Sequence, residues 1–256
     1  MRDVERAVEL PRPRAEFIKF RFGRLKGFGK ADAVAEIIAN GANVPVEGVT
    51  DLTAALQYGN HTSIQRYSTE IVKKIFDDIR FGRAPIFPRS FVGSIPGLRI
   101  SPMGVVVKPA KIRIIHDLTF LSSTYAGSVN ADTAVGSAPD VELGSVLRDV
   151  IWRILFLRAK FGPSARIVMS KIDMTDAFGN VPVRPEKSAV FGYAFGEWVV
   201  IDRQLEFGWT NSPEYFCLLT SALEHSHAAT TFADAVVTEQ GRAATAHINV
   251  QPPLRA

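Results

Sequence analysis

"SKIDMTDAFGNVPV", Ser170 to Val183, is the stretch on which the fold turns. Asp173 and Asp176 lie three positions apart, just past an apolar run, and Phe178 follows almost at once. The preceding "ARIVMSKID" is rich in apolar and β-branched residues and predicts a strand. Asp173 would then stand near a strand's carboxyl end, where sites gather in α/β folds. Hard cations such as magnesium take oxygen ligands and are commonly held by one or two carboxylates plus substrate phosphates. A two-metal site can stabilise both the attacking and the leaving oxygen of phosphoryl transfer. Asp176 opens a turn whose backbone N–H groups could face a phosphate, and Phe178 could form a floor under a sugar. The bland alternative is two acids on the exposed rim of a turn.

Downstream, "AVFGYAFGEWVVID" predicts a hairpin turning at Gly196-Glu197, where glycine suits a type II′ turn. "NSPEYFCLLTSALEHS" then predicts a helix with Ser212 as N-cap, Pro213 in the next position and Glu214 in the first turn. Upstream, a helix is expected from Val141 to Phe161, capped by Asp140, burying a stripe of Leu143, Leu147, Val150, Ile151, Ile154 and Leu157. Before a polar loop, "VVVKPAKIRIIHDLTF" predicts a hairpin with strands at Val105–Val107 and Ile112–Ile115. Residues 83–104 are rich in Pro and Gly and read as an irregular connector.

A capped amphipathic helix is expected over 63–81, with Thr62 and Gln65 as a capping box. Its apolar stripe leaves Asp77 and Asp78 as solvated charges. "ADAVAEIIANGA" predicts a short helix ending at Asn40-Gly41. "FIKFRFGRLKGFGK" interleaves aromatics with basic residues, which fits either single-strand binding or a basic surface with its rings turned inward.

The 256 residues and 46% hydrophobic content allow a sizeable core. Net charge is +4, a mild basic balance that fits a polyanionic partner. Cys217 is the single cysteine, which excludes an intrachain disulfide framework. The scattered histidines form no structural zinc pattern. No apolar run has the length of a membrane span, so no membrane partner is expected and an intracellular, soluble protein is.

With these neighbours in place, the sequence resembles the reverse transcriptase family, especially the polymerase domains of retrotransposons, including the tyrosine-recombinase (DIRS-like) type. "IDMTDAFGNVPV" resembles its first palm motif and "LEFGWTNSPEYF" (205–216) its second. "KIRIIHDLTF" (111–120), "SVNADT" (128–133) and "SPMGVVVKP" (101–109) resemble fingers elements, in family order. The resemblance implies an α+β fold: partial fingers and palm over 98–229, a helical or irregular N-terminal region over 1–97, and a weakly structured tail over 230–256.

It also implies roles. Asp173 would be the catalytic metal ligand, in a family that uses two magnesium ions. Asp176 and Ala177 would offer backbone N–H groups to an incoming deoxynucleoside triphosphate. Phe178 would lie under the sugar and clash with a 2′-hydroxyl. Lys111 and Arg113 would approach the phosphates, arginine being suited to bidentate contact. Phe207, Gly208 and Trp209 would line the nucleotide and template-primer pocket, so RNA or DNA is the implied partner. Glu206 departs from the pattern, standing where the family has Pro, and Gly179 stands where a bulkier residue is common.

The family also needs an aromatic, a variable residue and two adjacent aspartates after the second palm motif. Beyond Phe216 the acids are Glu224, Asp234 and Glu239, none adjacent to another. Asp77-Asp78 is no substitute, because it falls inside an expected helix. The expectation is therefore a fragment of an RNA-directed DNA polymerase, cut short and inactive as it stands, with weak magnesium binding. Two other function classes stay open: a non-catalytic nucleic-acid-binding remnant, and an unrelated magnesium-dependent phosphotransferase using Asp173 and Asp176. The missing Gly-rich phosphate loop counts against the last.

Overall fold

Strands and helices interleave along the chain in an α+β arrangement with antiparallel sheets. The computed structural model describes residues 25–48, 50–109, 111–121, 127–141, 146–169, 174 and 176–229; of 111, 146 and 227–229 only the backbone is described. The helices are α1 (Ala31–Asn40), α2 (Leu52–Tyr58), α3 (Ser68–Arg80), α4 (Val146–Phe161) and α5 (Ser212–Ala229). The strands are β1 (Ile86–Pro88), β2 (Met103–Lys108), β3 (Lys111–His116), β4 (Gly192–Phe195) and β5 (Trp198–Ile201).

Both hairpins form where local chemistry asks for them. β2 and β3 pair antiparallel from Met103↔His116 to Lys108↔Lys111. β4 and β5 pair from Gly192↔Ile201 to Phe195↔Trp198. Gly196 takes φ +58 between them, the positive value that the first central residue of a II′ turn needs. β5 is the middle of a three-stranded sheet because β1 pairs with its other edge. β1 and the 3₁₀ segment Arg89–Ser94 fall in the stretch expected to be an irregular connector. Apolar Ile86 and Phe87 complete the sheet there, and Pro88 tolerates the position because β1 is an edge.

Three hydrophobic clusters hold these elements. One joins Val34 and Ile37 of α1 to Val183, Phe191, Trp209 and Leu218 of α5. The second places Ala55 of α2 and Phe87 of β1 against Val199 and Ile201. In the third, Ile71 and Ile75 of α3 pack on Met103, Tyr193 and Val200, seating the β2–β3 hairpin on the sheet. Each side chain of this size contributes about 1.5–3 kcal/mol when fully buried. α1 stops at Asn40 as expected, and Gly41 continues at φ +88. A Cβ there would lie 2.6 Å from the backbone N of Arg184, so this crossing admits glycine alone.

Several expectations are corrected. Thr62–Tyr67 is a 3₁₀ segment without a side-chain cap, and α3 begins only at Ser68. Its polar groups serve the hairpin instead. The Ser63 hydroxyl accepts the Val105 N–H at 3.0 Å, and the His61 N–H donates to the Met103 carbonyl at 2.9 Å. Asp78 is buried, not solvated, and takes a 2.7 Å hydrogen bond from Lys74 one turn earlier. On α4 the stripe expected to be buried is open: Leu147, Val150 and Ile151 are all exposed. None of α4 joins a hydrophobic cluster among the described residues. The strand expected over "ARIVMSKID" is absent at 165–169, where Val168 and Met169 are exposed, and 170–173 lie outside the described residues.

The start of α5 also differs in detail. The carbonyl of Asn211 accepts the Tyr215 N–H, so Asn211 occupies the cap position. Ser212 is the first helical residue, and its hydroxyl donates to the Glu206 carbonyl at 2.8 Å. The serine pins a loop instead of capping a helix. Among the described residues no helix is long and apolar enough to cross a membrane.

Candidate functional site

The "DAFGNVPV" segment passes through a 3₁₀ turn, Phe178–Asn180, into a short strand-like stretch bridged on both sides. Its Pro182 bridges Gln204 antiparallel, and Val183 bridges Ala42 in parallel. The Leu205 N–H donates to the Val181 carbonyl at 2.9 Å, and the Val183 N–H donates to that of Arg203 at 2.8 Å. The two stretches resembling palm motifs are therefore neighbours in space.

The turn ahead of this strand is tight. Asp176 has φ +55, the only positive φ outside glycine among the described residues. Its carbonyl accepts from the Asn180 side chain at 3.0 Å. Its carboxylate folds under the turn, where a Cβ on residue 179 would lie 2.5 Å from Oδ2. That close approach accounts for glycine at a position where bulk was expected. Arg83 closes the arrangement by donating to Asp176 Oδ2 at 2.9 Å.

Phe178 is half-buried, with its ring 5.3 Å from that of Phe207 and 5.7 Å, edge-on, from that of Phe216. Phe207 is exposed. Together the rings make an apolar wall beside Asp176. Gly208 follows at φ +115, so the loop turns sharply where only glycine is at ease. Trp209, expected on the pocket wall, is instead buried in the core, stacked on Tyr215. Its indole N–H donates to the Thr133 hydroxyl at 3.0 Å. The reason is size: the indole fills the first cluster better than any rim position would.

Asn130, in the "SVNADT" stretch, ties three segments together. Its amide nitrogen donates to the Gly208 carbonyl and to the Thr119 hydroxyl, each at 2.8 Å. Its side-chain oxygen accepts the Thr210 N–H at 2.9 Å. Arg113 is exposed on β3, opposite Val106. The Lys111 side chain lies outside the described residues, and so does Asp173. Among the described residues no cluster of His, Cys, Asp or Glu could hold a metal ion. The one acid of the motif that is described, Asp176, already faces Arg83.

Behind the wall lies a buried polar cluster that the motifs did not announce. His116 Nδ1 is 3.0 Å from Glu206 Oε1, both side chains buried. The His116 ring lies 4.4 Å from that of Tyr193, tilted by 46°. The approach is close without being a directed hydrogen bond, since Glu206 Oε1 has no hydrogen-bond partner. Burial holds His116 down at about 4, so the ring is neutral at ordinary pH and no ion pair forms there. Burial pushes Glu206 up to about 7, and raises Asp202 well above the carboxylate range, with the Glu206 charge adding to it. The two carboxyl groups are hydrogen-bonded, with Asp202 keeping its proton and Glu206 accepting it. Asp202 Oδ1 also accepts the Gln204 N–H at 3.0 Å. Burial lowers Lys74, but its bond to Asp78 and the charges of Asp202 and Glu206 outweigh that and leave it raised. The sequence did carry one signal of this cluster, the acid at Glu206 in place of proline. His116 and Asp202, each at the end of an apolar strand, were the others.

No protein-family model matches the chain, and no curated protein matches it. One solved structure, a foamy viral protease-reverse transcriptase in complex with double-stranded DNA, is similar at a TM-score of 0.40 and 16% identity. The match covers 84% of this chain and 36% of that one. A likeness that weak carries nothing about activity.

Proposed function

We propose that this chain is the nucleotide- and template-facing part of a reverse-transcriptase-type polymerase. What supports it is the convergence at Asn130. Four stretches, singled out in the sequence only by resemblance, meet there through one side chain and the adjoining strand pair. Unrelated short matches have no reason to meet in space. In this proposal the N–H groups of Asp176 and Ala177 meet the triphosphate and Phe178 floors the deoxyribose. Arg113 and Lys111 reach the phosphates, and Phe207 and Gly208 border the template-primer. Asp173 would hold magnesium. Turnover would also need the adjacent aspartates that the family carries after its second palm motif.

Binding of a deoxynucleoside triphosphate and of its ribo counterpart should be compared on the purified chain with primer-template and magnesium. The deoxy form should bind more tightly, and Phe178→Val should shrink that preference by about tenfold, or about 1.4 kcal/mol. Equal affinity for both sugars in the unaltered chain would sink the nucleotide-site assignment. Primer-template binding that survives without any nucleotide preference would leave the nucleic-acid-binding remnant standing. A fall in that binding with rising salt is expected of phosphate contacts.

A further inference from the structure

We infer that Arg83 is a phosphate-binding residue which the Asp176 carboxylate occupies in the ligand-free protein, and that a phosphate group of the triphosphate takes its place. The inference rests on the nucleotide reading above for the identity of the ligand, while the arginine and its occupant are read from geometry alone.

Arg83 lies outside every stretch that resembles a polymerase motif. It follows α3 in the connector, and its backbone is fixed on both sides. Its N–H donates to the Asp78 carbonyl at 2.8 Å and its carbonyl accepts the Arg203 N–H at 2.9 Å. The guanidinium carbon is 5.5 Å from the centroid of the Phe81 ring, which steadies the plane of the group. From there it reaches across ninety-three positions of sequence to Asp176 Oδ2. The arginine side chain is 31% exposed and the aspartate 53%, so the pair sits at an open rim. An exposed pair of this kind contributes little to stability, and a phosphate can replace the carboxylate at small cost. A guanidinium suits phosphate at least as well as carboxylate, because both accept its parallel N–H donors.

The aspartate is held in an unusual way. A non-glycine residue at φ +55 is sparsely populated, and the space under the turn exists because residue 179 is glycine. The carboxylate is thus placed against Arg83 on the very turn whose N–H groups are proposed to meet the triphosphate. An arriving polyphosphate would repel that carboxylate and attract the arginine. Release of Asp176 and capture of phosphate would therefore occur together.

The probe is inorganic tripolyphosphate, titrated into the full chain by calorimetry without nucleotide or metal. Asp176→Asn should tighten binding about five- to tenfold, since it vacates Arg83 without removing the side chain. Asparagine also tolerates positive φ, so the turn should survive. Arg83→Gln should weaken binding at least tenfold, and its backbone bonds do not depend on the side chain. In the double variant the gain from Asp176→Asn should vanish. A gain that persists without Arg83 would overturn the inference, showing only loss of a repulsive charge. Equal binding by the parent chain and Arg83→Gln, or none by the parent chain, would also overturn it. Tripolyphosphate binding as expected, with no preference between nucleotide and tripolyphosphate, would uphold the arginine site and defeat the nucleotide reading instead.

Discussion

Two carboxylates near one wall of this protein face a basic partner, and they live under opposite conditions. Asp176 meets Arg83 at the rim, where both side chains are substantially exposed; Glu206 meets His116 in the interior, where both are nearly sealed. Water screens the first pair, so its partners can be exchanged. The second has no solvent to fall back on, so its charge must be shared out inside the protein. Asp202 does that by lending a proton, and His116 does it by staying neutral. An acid beside the aromatic wall therefore need not face it. Glu206, the apparent misfit of the second motif, turns inward, against the end of β3.

The sharpest way to break the comparison is to delete one acid from each pair. Asp202→Ala strands the buried Glu206 carboxylate without its hydrogen-bond donor, and leaving a buried polar group unsatisfied costs about 1–3 kcal/mol. Asp176→Asn neutralises an exposed partner, tolerates the positive φ and should cost at most about 1 kcal/mol. Urea denaturation of both variants against the parent chain tests this. Similar losses would mean that the interior cluster is not the tightly coupled unit described above.

The pH dependence of stability separates the two ends of that cluster. Burial raises Glu206 from its ordinary value to about 7 in the folded state. Its contribution is therefore complete below the unfolded value of 4.5 and is lost as pH rises toward 7. Asp202 is shifted the same way and extends the loss to higher pH. His116 is lowered to about 4, so its contribution is complete above the unfolded value of 6.5 and is lost as pH falls toward 4. Between about 4.5 and 6.5 the two acids together outweigh the histidine, so the parent chain should lose stability as pH rises. Glu206→Gln should flatten that fall, because Asp202 and His116 then oppose each other, and His116→Gln should steepen it, each by up to roughly 1.4 kcal/mol per pH unit. Thermal melts across that window would show the two slopes. Parallel profiles in both variants would refute the assigned protonation states.

What the sequence made legible was mostly local. Gly196 forces a turn between Phe195 and Trp198, and Gly41 ends α1, whatever the rest of the chain does. The resemblance added something longer in range, placing Phe178 and Phe207 on one wall. Other features depend on partners that no periodicity reveals. The stripe of α4 tells which side is apolar without saying whether anything covers it, and it is exposed. Asp78 looked solvated because it lies off the stripe of α3, yet β-sheet and connector close over that face and Lys74 takes its charge. Trp209 was assigned by motif position, and its volume carried it into the core. The Arg83–Asp176 pair joins residues too far apart in sequence for spacing to suggest.

The smallest change tests the rim most finely. Gly179 does not need positive φ, so alanine fits its backbone, and the one obstacle is the Asp176 carboxylate, which the new Cβ would meet at 2.5 Å from Oδ2. That carboxylate is the free end of a side chain with open solvent beside it. It should swing away, leaving the turn intact and Arg83 vacant. Gly179→Ala is thus expected to cost under about 1 kcal/mol in urea denaturation, since the pair it breaks is an exposed one. It should nevertheless tighten tripolyphosphate binding in the same direction as Asp176→Asn, although Asp176 and its charge remain. Because the charge is still present, any gain must come from vacating the arginine. Unchanged affinity together with unchanged stability would mean that the carboxylate under residue 179 is not what occupies Arg83.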